Sequence, residues 1–136
     1  MKIYADKKNE SIKTKLFLII ILSFTILGCD PERYYDYFII NNCNEPIEVK
    51  IIDGHDKNLD FQIEPRATQL VYSYTTCQPL DSRMIELVES FFKEIIITKE
   101  SEASKVIYTN KDLWDFKTLS KFHANISLIV NPEDFD

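Results

Sequence analysis

Ile47-Glu48-Val49-Lys50-Ile51-Ile52-Asp53-Gly54 alternates apolar and charged residues and then stops at an Asp-Gly pair. A period of two puts Ile47, Val49 and Ile51 on one face of an extended chain and Glu48 and Lys50 on the other. That is a strand with one face on a core and one in water. Asp53-Gly54 marks a turn, because glycine accepts positive φ without a Cβ clash. Leu59, Phe61 and Ile63 then alternate with Asp60 and Gln62, which predicts the returning strand, and Pro65 closes it.

Outward from this hairpin the chain keeps reading as strands and turns. Residues 37–41 (YFIIN) form the strand before it, and 41–46 have the composition of a turn. Residues 70–76 (LVYSYTT) predict a fourth strand, with Leu70, Tyr72 and Tyr74 on one face. Met84, Ile85, Val88, Phe91 and Phe92 recur at helical spacing, so a short helix is expected over 82–92, capped by Asp81 or Ser82. Residues 95–98 read as a buried strand, 99–105 as a polar hairpin loop and 106–109 as the partner strand. Thr109 and Asp112 stand at capping-box spacing, and Leu113, Phe116, Leu119 and Phe122 follow every third residue. This predicts a second short helix over the core. Residues 124–130 close the domain, with Ala124, Ile126, Leu128 and Val130 inward, and the acidic tail 131–136 is expected to fray. Tyr72, Tyr74 and Trp114 are expected in the core. Short strands near ten-residue spacing predict a mainly β chain. The expected fold is an antiparallel β-sandwich or barrel-like domain with one or two short helical inserts.

The first 28 residues stand apart. Residues 1–15 are polar with a basic excess, and 16–27 (LFLIIILSFTIL) are apolar. A run of that length is short for a bilayer span, which takes about 20 residues, and suits the apolar core of a secretory signal. Gly28 then precedes Cys29. The junction Ile26-Leu27-Gly28-Cys29 resembles a bacterial lipobox, with Leu27 bulkier than the usual small residue. The resemblance implies cleavage between Gly28 and Cys29 and a diacylglyceryl group on Cys29, usually with a further N-acyl chain. Several acyl chains hold a protein on a membrane where one is marginal. The other reading is an uncleaved anchor with an incidental cysteine. The expected organisation is a signal peptide at 1–28, a lipidated tether at 29–36 and one β-rich domain at 37–136.

Of the 16 basic and 22 acidic residues, five and two lie in the leader. The mature chain keeps 11 and 20, a net charge of −9. Such a surface repels phosphate backbones, so no nucleic-acid partner is expected. Only Gly28 and Gly54 are glycines, which excludes the glycine-rich loops that cradle nucleotide phosphates.

Cys43 and Cys77 are left in the mature chain. Cysteines outside the cytoplasm can pair, and a bridge here would close a loop of about 35 residues and contribute about 3–4 kcal/mol. The alternative is two free cysteines behaving as small apolar residues. Asp56, Asn58 and Asp60 alternate as the first ligands of a calcium loop do, but Phe61 stands where that loop needs glycine and Ala67 where it needs a bidentate glutamate. A solvated turn accounts for them equally. His55 and His123, the only histidines, lack zinc-ligand spacing. No metal, cofactor or catalytic residue is therefore assigned, and no enzyme is expected. Tyr34 and Tyr35, in the tether, are the candidate contact aromatics.

With the lipobox, Asn41-Asn42-Cys43-Asn44 before Pro46-Ile47, the Trp114 segment and the terminal Asn131-Pro132-Glu133-Asp134-Phe135, most of the mature chain resembles small lipoproteins of Bacteroidota. The resemblance implies the address and a β-rich fold and carries no functional residue. Asp30 follows the lipidated cysteine. In enteric bacteria that residue is associated with inner-membrane retention, and in Bacteroidota acidic residues there are associated with surface export. The expected location is the cell envelope, outer membrane before inner. The expected role is a non-enzymatic binding or envelope-structural module with an envelope protein or a glycan as partner. The alternatives are a carbohydrate- or ligand-binding accessory lipoprotein of a nutrient-uptake system and, behind it, a small envelope hydrolase.

Overall fold

A computed structural model describes residues 31–136. Gly28 and Cys29, and with them the leader, lie outside the described residues. The strands are β1 (Arg33–Asn41), β2 (Ile47–Asp53), β3 (Asn58–Ile63), β4 (Thr68–Thr76), β5 (Phe92–Lys99), β6 (Glu102–Ala103), β7 (Trp114–Ser120) and β8 (His123–Val130). They form two four-stranded sheets, β4-β1-β8-β7 and β3-β2-β5-β6. The chain is mainly β, and the sheets are open, so it is a sandwich and not a closed barrel.

Alternation decides the core as the sequence suggests. Ile47, Val49 and Ile51 of one sheet and Ile39, Ile126 and Leu128 of the other are buried in one core cluster, with Ala124 and Val130 among them. Aromatic rings fill the middle. Phe92 stacks on Trp114 with centroids 5.7 Å apart, and Tyr37 meets both edge-on. Such offset and edge contacts are worth about 0.5–1.5 kcal/mol each beyond their burial. The Tyr37 hydroxyl donates to the Met84 carbonyl at 3.1 Å, and the Trp114 indole N–H to the Tyr108 carbonyl at 2.8 Å.

Among the described residues, Asn41 is the one buried polar residue of the core, and its hydrogen bonds are satisfied. Its amide nitrogen donates to the carbonyls of Glu45, Ile63 and Glu64, and its Oδ1 accepts from the Cys43 N–H at 2.8 Å. It ties the end of β1 to the turn before β2 and to the end of β3, as buried amides must be tied to be tolerated.

Several expectations are corrected. The sheet of β1 is mixed, because β1 pairs with β4 antiparallel and with β8 parallel. Strands 33–41 and 123–130 are joined through the whole of the other sheet, so no hairpin forces them antiparallel. Residues 33–36, expected in a tether, belong to β1 instead, and Tyr35 is buried. The partner of β5 is the two-residue β6, and 106–109 is not a strand. Glu100 and Ser101 both take positive φ and reverse the chain tightly. Ser104 then draws the chain off the edge: its hydroxyl donates to the Asp134 carbonyl and accepts from Val106 N–H.

The second helix shrinks to one 3₁₀ turn, Lys111–Leu113, and 114–120 is strand β7. The three-residue spacing misled because Leu113 and Leu119 are exposed; the core takes Trp114 and Phe116, two apart. The segment 82–92 starts at an Asp81 cap, runs as a 3₁₀ helix (Ser82–Leu87), makes one α-turn, α1 (Val88–Phe91), and passes into β5 at Phe92. The tail is a capped 3₁₀ turn, Pro132–Phe135, and not frayed, because Phe135 is buried and the Tyr108 hydroxyl lies 2.8 Å from Ser104 Oγ and 3.2 Å from Asp134 Oδ2.

Gly54 does not hold positive φ; Asp56 does, at 61°. Gly54 is required for close approach instead. A Cβ there would sit 2.5 Å from the Ser90 carbonyl oxygen, and its N–H donates to Phe91.

Candidate functional site

The outward side chains of β4-β1-β8-β7 form the candidate site, and a bulge shapes it. Tyr37 lies opposite Tyr72, but Phe38 lies opposite Leu70, so β4 carries one extra residue, Val71. The bulge turns Val71 into the core and Leu70 out to solvent, correcting the expectation that Leu70 shares a face with Tyr72 and Tyr74. Register then sets Leu70 beside Phe38, and Ile40 beside Ile129 on β8. Leu113, just before β7, lines one cleft with Ile129. Leu70, Ile129 and Leu113 are 44%, 43% and 41% exposed, and Phe38 and Ile40 are half-buried between them. Asp112, Asp115 and Asp134 lie along the Leu113–Ile129 cleft. The result is an apolar patch with an acidic rim on the β7 side.

Toward the start of β1 the same face becomes polar. Ser73 donates to Asp36 Oδ1, and Asp36 Oδ2 bonds His123 Nε2 at 2.8 Å. Tyr34 meets the His123 ring edge-on at 6.5 Å. The residue types are those of a hydrolase triad, but the order is not. The carboxylate stands between the hydroxyl and the imidazole, so the serine proton faces Asp36 and not the His123 ring. The group ties β4, β1 and β8 together. Beside it, Asn125 Oδ1 is buried and without a partner.

The other candidate residues do not converge. Cys43 is buried beyond the end of β1, with Sγ 4.0 Å from the Val130 carbonyl; Cys77 is exposed beyond Thr76, which pairs with Arg33 at the opposite end of that strand. The length of β1, about 30 Å, separates them, whereas a disulfide needs Cα atoms within about 7 Å. Both are free, and the bridge is excluded. Burial pushes the Cys43 thiol up, which makes it unreactive.

Of the expected calcium-loop side chains, Asp56 is engaged by Lys93 at 2.6 Å, and Asn58 and Asp60 are exposed along β3. Asp53 accepts from the His55 and Lys57 N–H groups, and these bonds hold its carboxyl below the usual range. Among the described residues, no three His, Cys, Asp or Glu side chains cluster as metal ligands.

The contact aromatics separate. Tyr34 is 45% exposed, and Tyr35 is a core residue whose hydroxyl accepts from Asp81 N–H at 2.8 Å. A cleft of about 460 Å³ opens above Tyr35 and Tyr74, with Leu80, Met84 and the Asp81–Arg83 ion pair on its walls. Tyr74 is packed on Phe91 there at 5.3 Å, so its ring is not an open stacking platform.

The apolar patch escaped the sequence reading because a bulge leaves no composition signal; its only trace is that Leu70-Val71-Tyr72 holds three consecutive apolar residues. Against known proteins, the chain matches no family model, no curated sequence and no solved structure.

Proposed function

We propose that the protein is a lipid-anchored, non-enzymatic binding module of the bacterial cell envelope, attached through Cys29, that presents the outer face of β4-β1-β8-β7 to a protein partner. The observation that carries this reading is the apolar patch of exposed Leu70, Ile129 and Leu113 around half-buried Phe38 and Ile40, on an otherwise acidic domain. Contiguous exposed apolar surface with a polar rim marks a contact surface. Apart from the half-buried Phe38 the patch is aliphatic, which suits another protein better than a sugar, since a sugar stacks on open aromatic rings and here most rings turn inward. This favours a protein partner over the nutrient-binding alternative. The acidic rim of Asp112 and Asp115 favours a partner with an apolar centre and a basic border. Within the envelope, the outer membrane is preferred.

The test has two arms in the native host. A photo-crosslinking residue in place of Ile129 gives one discrete adduct, which Leu70→Asp abolishes and the pair Asp112→Lys, Asp115→Lys weakens. Adduct formation indifferent to all three substitutions would overturn the docking face. In the second arm, labelled fatty acid enters the wild-type protein and not Cys29→Ala; label in both would overturn the anchor.

A further inference from the structure

We infer that the β7–β8 turn and the start of β1 form a seat on the lipid bilayer, orienting the domain with the β1–β2 turn and the end of β8 pointing away. This rests on the reading that Cys29 carries the lipid. From Cys29 to Arg33 are four residue steps, at most about 14 Å of extended chain, so the first residue of β1 is held close to the headgroups.

The structure sets one loop beside that point. The Tyr34 N–H donates to the Phe122 carbonyl at 2.8 Å, and Tyr34 pairs with His123. Because β1 and β8 run parallel, their far ends, Asn41 and Val130, also lie side by side, about 23 Å away at the rise of a strand.

The chemistry of this end suits a bilayer interface. Lys117-Thr118-Leu119-Ser120-Lys121-Phe122 holds two lysines and no acid, in a mature chain where acids outnumber bases 20 to 11. Leu119 is 50% exposed, Tyr34 stands open beside the turn, and Lys121 Nζ lies 4.7 Å over the Phe122 ring. Exposed leucine and aromatic rings enter the headgroup–acyl boundary, and lysines reach the headgroup phosphates along their apolar stems. Arg33, Lys117 and Lys121 stand at this end against Glu32 and Asp36, while the remainder of the domain is net acidic and repelled by anionic headgroups, so charge turns the molecule the same way. The apolar patch, in rows farther along β1, then stays clear of the lipid.

The experiment uses lipidated protein purified from the host envelope and reconstituted in phosphatidylethanolamine–phosphatidylglycerol vesicles. In a Cys77→Ser background, an environment-sensitive fluorophore is placed by Leu119→Cys or, at the far end, by Glu133→Cys. Nitroxide-bearing lipids are expected to quench the probe at 119 several-fold more than that at 133, with aqueous iodide acting in the opposite order. Lys117→Glu with Lys121→Glu is expected to reduce lipid quenching at 119 without releasing the protein. Vesicle flotation and the mass of Cys29 separate the two ideas. Protein that floats with its acyl chains and yet shows equal quenching at both positions overturns the seat alone. Protein without acyl mass on Cys29 overturns the anchor and the seat with it.

Discussion

Phe38 lies opposite Leu70 while Tyr37, one residue earlier, lies opposite Tyr72, so a single extra residue in β4 decides which face each side chain takes. The consequence is measurable in stability. Leu70→Asp, on the exposed face, is expected to change unfolding free energy by no more than about 0.5 kcal/mol. Val71→Asp would bury a carboxylate in the core and is expected to unfold the domain. Urea unfolding of the two variants checks the bulge; a straight strand would reverse the order.

The cysteines make a second test. In native protein kept free of reductant, one equivalent of an alkylating reagent is expected to enter, at Cys77. Cys43 should react only after denaturation, because it is buried at the end of β1. Mass spectrometry reads both. Protection of Cys77 that reduction relieves would refute the separation of the two sulfurs.

Gly54 and Asp56 exchange the roles their residue types suggest. Gly54→Ala is expected to cost about 1–3 kcal/mol, because its Cβ would press on the Ser90 carbonyl. Asp56→Gly is expected to be tolerated, since φ at Asp56 is already in the left-handed region. Thermal unfolding of the pair decides it; equal losses would place the strain elsewhere.

Alkaline pH probes the aromatic core. Burial raises the Tyr37 and Tyr108 phenols well above their ordinary value. Their folded pKa exceeds the unfolded one, so the stability they contribute is complete below about pH 10, the unfolded phenol value, and is lost as pH rises beyond it. Absorbance near 295 nm should show these two phenols ionising only as the protein unfolds. One smooth titration of all tyrosines in folded protein would sink this account.

Alternation alone determined the mainly β class, the hairpin of β2 and β3 and the inward set of β8. Side-chain period is a local property, and Ile47-Glu48-Val49-Lys50-Ile51 or Ala124-Asn125-Ile126-Ser127-Leu128 can be sorted without knowing a neighbour. The same locality explains the errors. At 113–122 two periods compete, and pairing of β7 with β8 chose the period of two by burying Trp114 against Phe92. The parallel neighbours β1 and β8, the bulge at Val71 and the distance between Cys43 and Cys77 depend on which strands meet, and nothing within either segment encodes that. The candidate face, from Leu70 to Leu113, was therefore beyond the sequence: its residues come from three strands and the approach to β7, and only register brings them together.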